Sequence, residues 1–90
     1  MAVEMIRGTV ARSRAGHDKG RLLAVLRVEG RYAYTADGKT RSVASPKKKN
    51  AIHLALTGTV LSEAQLESDS GLRKALKELS AEKTVQGGSI

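Results

Sequence analysis

The side chains that could perform chemistry are few, and the closest set of them lies near the start of the chain. Ser13, His17 and Asp18 are the residue types of a nucleophile, a general base and an orienting acid. A catalytic triad, however, is assembled in space from separate elements. The chain also lacks the glycine-framed serine elbow, the P-loop and the dinucleotide-binding motif. The sequence therefore predicts a protein that is not an enzyme, with no catalytic residue.

Metal ligands are equally scarce. The chain has two histidines, His17 and His53, and no cysteine. Two isolated imidazoles without thiolates do not make a plausible metal site. We therefore expect no metal, no other cofactor and no small-molecule substrate.

Basic side chains are the abundant chemical groups, and they are unevenly distributed. The chain has 16 Lys+Arg against 9 Asp+Glu, a net charge of +7. Residues 1–50 hold 12 basic and 4 acidic side chains (net +8), whereas residues 51–90 hold 4 and 5 (net −1). A basic excess confined to one part of a chain is typical of a surface for nucleic acid. Another anion, or a merely solvated basic face, is the alternative.

The candidate contacts fall into two basic segments. The first is a turn over residues 12–21, whose glycines let backbone N–H groups approach phosphate without a Cβ in the way. The second follows Pro46 and contains three consecutive lysines, compact charges on flexible stems. With one arginine between the segments, the predicted nucleic-acid contacts are Arg12, Arg14, His17, Lys19, Arg21, Arg41, Lys47, Lys48, Lys49, Asn50 and His53.

Several side chains have plain structural alternatives. His17 is then a polar turn residue, His53 a partly buried strand residue, and the lysine run a solvated segment. Asp18 is predicted to cap the turn by accepting backbone N–H groups. Tyr32 and Tyr34 are expected to pack on the sheet rather than to stack on bases. Recognition of the nucleic-acid backbone and shape is therefore predicted, not a base code.

Short strands are predicted to position the basic segments. Apolar patterning and strand-forming residues indicate strands at about residues 8–13, 22–28, 32–36, 40–44 and 52–56. Glu29-Gly30-Arg31 and Asp37-Gly38 have hairpin-turn chemistry. Pro46 ends the fourth strand, so the lysines after it are placed in a loop. Five strands at this spacing predict a mainly β fold, a small barrel whose closure hides the strand edges.

Helical spacing replaces the strand pattern near the C-terminus. Ser62 and Gln65 have the spacing of a capping box. An apolar stripe at helical spacing follows, formed by Leu72, Leu76 and Leu79. The predicted division is a barrel at residues 1–61, a helical segment at 62–82 and a flexible tail at 83–90.

No membrane or export segment is predicted. The first seven residues contain an acid and end their apolar run at Arg7, unlike a signal peptide. No apolar run approaches the roughly 18 residues of a membrane span. With no cysteine, a reducing, cytoplasmic location is expected.

The turn and the lysine segment together resemble a known family. The pattern Gly8-x-Val10-x-x-Ser13-x-x-Gly16-x-Asp18-Lys19-Gly20 resembles the KOW motif. Further along, Asp37-Gly38 is followed by Pro46-Lys47-Lys48-Lys49-Asn50-x-x-His53-Leu54. This wider pattern is similar to bacterial KOW-domain RNA-binding proteins, relatives of a large-subunit ribosomal protein of archaea and eukaryotes. The resemblance covers residues 8 to about 56, roughly half of the chain.

The resemblance implies an SH3-like barrel and binding to RNA, with ribosomal RNA as the expected partner. It assigns Gly16, Asp18 and Gly20 to the motif turn, Lys19 to a polar position of the motif, and residues 47–50 to the basic segment. KOW barrels of transcription factors can also meet proteins. The alternative is therefore an adaptor in transcription or translation that docks ribosomal or transcription proteins on the leucine stripe.

Overall fold

The computed structural model describes the backbone of residues 5–88 and the side chains of residues 5–80. Within this part, five antiparallel strands form one sheet: β1 Thr9–Ser13, β2 Leu22–Glu29, β3 Tyr32–Ala36, β4 Lys47–Asn50 and β5 Leu54–Val60. The order across the sheet is β4-β3-β2-β1-β5. A 3₁₀ turn at Ala51–His53 precedes β5, and helices α1 Glu63–Leu66 and α2 Asp69–Gly88 follow it. The predicted mainly β fold with C-terminal helices is confirmed, and it is consistent with a small SH3-like barrel.

The sheet buries apolar side chains on both faces. One core cluster joins strand residues, among them Val10 and Ala24, to residues of the two helices. The buried residues of the other cluster all come from strands, and they are Ala11, Leu23, Val25, Ala33 and Leu54. Among residues 5–80, no buried helix residue belongs to this second cluster, so it is formed by the sheet itself. The strand pairing is irregular at two places, between β1 and β5 and between β2 and β3, and such irregularities bend a sheet locally.

The leucine stripe of α2 faces the sheet. Leu72 and Leu76 are buried in the first cluster, and Leu79 packs against it. Burying one such side chain contributes about 1.5–3 kcal/mol, so the stripe stabilises the fold. The adaptor alternative requires this stripe to be exposed for docking, and the structure buries it instead.

The helices begin close to where the sequence indicates. The Ser62 Oγ accepts the backbone N–H of Gln65 at 3.4 Å, and the Gln65 Oε1 accepts the N–H of Ser62 at 2.9 Å. This capping box satisfies amides that the first helical turn leaves without partners. The second helix continues to Gly88, so it passes through residues 83–88, which the sequence predicts as a tail; residues 1–4 and 89–90 lie outside the described residues.

Neither helix in the described part of the chain has both the length and the apolar character needed to cross a membrane.

The fourth strand lies later in the chain than predicted. Residues 40–44 form bends and a turn, whereas the lysine run, predicted as a loop, forms β4 and pairs with β3. Pro46 precedes this strand, where its missing N–H removes no bond from the ladder. Because β4 is an edge strand, lysines suit it: they discourage pairing with another chain.

The start of β1 is buried: Thr9 is 5 % exposed, and its Oγ1 accepts the N–H of Ile6 at 3.0 Å. The last strand begins later than predicted. Ile52, predicted as its first residue, is 72 % exposed because it lies in the 3₁₀ turn. That strand begins two residues later than Ile52 and runs to Val60.

The loop between β3 and β4 is held by α2. The Asp69 Oδ1 accepts the N–H of Val43 at 2.7 Å, and the Arg73 Nη1 donates to the Gly38 carbonyl at 2.9 Å. Asp37 and Gly38 therefore open a longer loop instead of a two-residue hairpin. Gly38 has a φ of 78° and lies so close to α2 that a Cβ would meet Asp69 O and, at 2.8 Å, Arg73 N.

We expect Gly38→Ala to lower the free energy of unfolding by about 3 kcal/mol, since it adds overlap with α2 to the strain of a positive φ. Gly20→Ala is the matched control, because Gly20 has a φ of 89° and nothing within 4 Å of an added Cβ. The control should cost only about 1–2 kcal/mol. Chemical denaturation measures both; equal losses would contradict a tight contact between loop and helix.

Candidate nucleic-acid interface

The turn between β1 and β2 is built on its own backbone hydrogen bonds. The N–H of Gly20 donates to the Ser13 carbonyl at 2.8 Å, and the N–H of Arg21 donates to the Asp18 carbonyl at 2.9 Å. Gly16 and Gly20 have φ angles of 88° and 89°. These angles agree with the prediction that the two glycines shape the turn, because such a conformation carries no Cβ penalty in glycine.

Lys49 reaches this turn from the edge strand β4. Its Nζ lies 2.8 Å from the Asp18 Oδ1 and 3.0 Å from the Ala15 carbonyl oxygen. The Ser13 Oγ lies 2.8 Å from the same carboxylate oxygen. The Lys49 side chain is only 8 % exposed, because the residue lies opposite buried Ala33 in the register of β3 and β4.

Two predictions are corrected by this contact. Lys49 is a buried structural residue, so its ammonium group is not available as an RNA contact. Asp18 binds the side chains of Lys49 and Ser13, instead of serving only as a cap for backbone N–H groups. The sequence did not indicate this, since Asp18 and Lys49 are far apart in the chain.

The pKa of the Asp18 carboxyl lies below its ordinary value of 3.8. Burial opposes ionisation and would raise the pKa, but hydrogen bonds from Lys49 and Ser13 and the positive charge of Lys49 outweigh it. The carboxylate is therefore ionised and paired at neutral pH.

The remaining predicted contacts are exposed or half-buried. Exposed are Arg14, His17, Lys19, Arg21, Arg41, Lys48 and His53; half-buried are Arg12, Lys47 and Asn50. Asn50 also has a structural bond, since its Oδ1 accepts the Ile52 N–H at 3.1 Å. Arg12 Nη1 donates to the Gly20 carbonyl at 2.7 Å. The exposure of His53 contradicts the alternative of a partly buried strand histidine.

Four of the predicted residues meet in one cleft, which we call the turn cleft. It has a volume of about 160 Å³ and is lined by His17, Asp18, Arg21, Asp37, Thr40, Arg41 and Lys47. These side chains come from the β1–β2 turn, from the β3–β4 loop and from the start of β4. The fold thus joins three separate stretches of the chain.

The turn cleft carries a net positive charge. The charge of Asp18 is matched by Lys49, and the Asp37 Oδ1 accepts the backbone N–H groups of Lys39 at 2.9 Å and Arg41 at 2.8 Å. Among residues 5–80, neither Arg41 nor Lys47 has a carboxylate within ion-pair distance. Arg21 donates only to a neutral oxygen here, the Thr40 Oγ1 at 3.2 Å.

Other predicted contacts do not line the turn cleft. The Lys48 Nζ lies 4.3 Å from the centroid of the Tyr32 ring, and the guanidinium of Arg27 lies 4.2 Å from that of Tyr34. Both are cation–π contacts. Arg14 lies beside His53, whose carbonyl accepts its N–H at 2.8 Å. Lys19 is exposed on the turn but does not line the cleft.

Sequence reasoning missed a group of basic residues next to the turn cleft. Lys39, Arg73 and Lys77 line a larger cavity together with Arg12 and Arg21. One signal for them was present: Arg73 and Lys77 are four residues apart, so they share a face of α2. Because residues 51–90 have a negative net charge, this pair of cations was not considered as part of a basic surface.

We expect Asp18→Asn to lower the free energy of unfolding by about 2–4 kcal/mol, because it leaves the Lys49 ammonium buried without its counter-charge. The double variant Asp18→Asn/Lys49→Met should recover part of this loss, since no buried charge remains. Chemical denaturation of the variants tests the coupling. A single variant as stable as the parent would show that the pair is not structurally important.

The contribution of this pair should also depend on pH. The folded pKa of Asp18 is depressed, so the contribution is complete above the ordinary value of 3.8 and is lost as the pH falls through the folded pKa. The stability difference between the parent and Asp18→Asn should therefore shrink below about pH 4. Denaturation at a series of pH values measures it, and a difference that is constant into strong acid would contradict the assignment.

Comparisons with known proteins do not assign this chain to a family. No protein-family model matches it, and no curated protein matches it. Its function must therefore be inferred from the turn cleft and the surrounding basic residues.

Proposed function

We propose that the protein binds structured RNA by docking the turn cleft on the phosphate backbone, with ribosomal RNA as the first candidate target. One observation carries the proposal. Arg21, Arg41 and Lys47 converge on a single cleft although they lie in three different parts of the chain. The fold places these cations together without neutralising them.

The chemistry of the cleft suits phosphate. A guanidinium group can donate two parallel hydrogen bonds to phosphate oxygens, and an ammonium group adds a compact charge. The volume of about 160 Å³ is below the roughly 300–1,000 Å³ of pockets that enclose small-molecule ligands. A phosphate group of a longer polyanion therefore fits the cleft better than an enclosed ligand does.

Backbone contact is favoured over base recognition. Cations lie over the rings of Tyr32 and Tyr34, so neither ring is a free stacking platform on this sheet. Recognition through phosphates and helical shape is typical of duplex RNA. The choice of RNA over DNA, and of ribosomal RNA in particular, depends on the resemblance of the turn and the lysine segment to KOW proteins.

The competing adaptor function loses the docking surface that the sequence suggested for it. Its docking site was the leucine stripe, and Leu72 and Leu76 pack against the sheet. The basic cleft is exposed, whereas the stripe is covered. RNA binding is therefore the function that the observed geometry supports better.

The test is a variant that removes two charges of the turn cleft, Arg41→Gln/Lys47→Gln. We expect it to bind deproteinised ribosomal RNA about tenfold more weakly at roughly 0.1 M salt. The slope of log affinity against log salt should fall by about 1.4–1.8, because each phosphate contact contributes about 0.7–0.9. Filter binding over a salt series measures both quantities.

The matched control, Arg27→Gln/Arg31→Gln, removes the same amount of charge elsewhere. Arg31 directly precedes the first residue of β3, at the end of the strand away from the turn cleft. Arg27 contacts Tyr34, which does not line the cleft. The control should bind nearly as well as the parent. Equal losses of affinity in the two variants would show that net charge, and not the turn cleft, determines binding. A parent protein that does not bind RNA would disprove the proposal.

A further inference from the structure

A second basic surface lies between α2 and the β3–β4 loop. Its cavity has a volume of about 420 Å³, and the cations that line it are Arg12, Arg21, Lys39, Arg73 and Lys77. A recess of about 580 Å³ shares three of these cations and adds Ser70 and Lys74. We call the cavity and the recess together the helix groove.

The cations of the helix groove are not neutralised by the fold. Within residues 5–80, ion pairs join Arg7 to Glu63, Arg27 to Glu29 and Lys49 to Asp18, and none of them involves a groove residue. The groove arginines that do form hydrogen bonds donate to neutral oxygens, those of Gly20, Thr40 and Gly38. The groove therefore has a strong positive potential.

One carboxylate lines the groove, against six cations, so it offsets only part of their charge. Among the described lining residues, Asp37 alone is acidic, and its Oδ1 accepts the backbone N–H groups of Lys39 and Arg41. Arg73 and Lys77 are like charges four residues apart on a helix, a spacing at which they repel each other. An anion bound in the groove would relieve this repulsion.

The helix groove adjoins the turn cleft. Arg21 and Asp37 line both. The loop that lies between the two surfaces is held by α2, through the bond from Arg73 to the Gly38 carbonyl and the bond from Val43 N–H to Asp69. The helix thus fixes the path of the loop and also adds its own cations to the same side of the protein.

We propose that the helix groove is a second phosphate-binding surface for the same RNA, which runs from the turn cleft past Arg21 onto α2. This inference rests on the proposed function. An extended strip of unpaired cations matches a polyanion whose phosphates repeat along a backbone, and each contact contributes separately to affinity and to its salt dependence. Because the strip adjoins the turn cleft, an RNA backbone is favoured over an acidic protein segment.

The test is Lys39→Gln/Lys77→Gln, which removes two groove charges and leaves Arg73 to hold the loop. We expect binding to deproteinised ribosomal RNA to weaken about tenfold at roughly 0.1 M salt, and the salt slope to fall by about 1.4–1.8. The Arg27→Gln/Arg31→Gln control should change little. Combined with Arg41→Gln/Lys47→Gln, the losses in log affinity should add, because the two surfaces contact separate phosphates.

The outcomes separate this inference from the proposed function. If the turn-cleft variant loses affinity while the groove variant behaves like the control, the groove is not an RNA surface and the proposed function stands. If the parent does not bind RNA, both are overturned. If poly-L-glutamate binds the parent and requires Lys39 and Lys77 while RNA binding does not, the groove serves an acidic protein segment and the inference fails. Circular dichroism confirms that each variant is folded.

Discussion

The candidate interface depends on the ion pair between Lys49 and Asp18. It joins the edge strand β4 to the β1–β2 turn, although β3 and β2 separate β4 from β1 in the sheet. Both side chains are largely withdrawn from water, 8 % and 14 % exposed, so loss of either partner would leave a charge uncompensated. This contact holds the turn beside β4. His17 and Arg21 meet Lys47 there because the pair holds the two segments together.

Local signals in the sequence were enough to identify much of the scaffold. The apolar run of β2, the paired tyrosines of β3 and the capping box at Ser62 each act over a few neighbouring residues, and each lies where it was predicted. The lysine run could not be identified as a strand in this way. Three polar residues in succession have no apolar alternation, and β4 is defined by its pairing with β3.

The site was harder to predict than the scaffold because tertiary contacts assemble it. The buried position of Lys49 follows from its register opposite Ala33, which no pattern within the lysine run could indicate. The place of Arg41 in the turn cleft depends on a loop held by Asp69 and Arg73, more than twenty residues away. Net charge was also misleading for the C-terminal half. A segment of net −1 still presents Arg73, Lys74 and Lys77 on one side, because charge balance does not record where side chains point.

The three consecutive lysines have three different environments: Lys47 lines the turn cleft, Lys48 lies over Tyr32, and Lys49 is buried against Asp18. Three identical residues do not by themselves determine the register of β4 against β3, because a shift by one position would place another lysine near Asp18. Yet such a slip would move every side chain of the strand to the opposite face. The residues that distinguish one alignment from another flank the lysines: Pro46 lies before the strand, and Asn50, which caps the 3₁₀ turn, ends it. The three lysines are chemically identical, and the different environment of each follows from its position along β4.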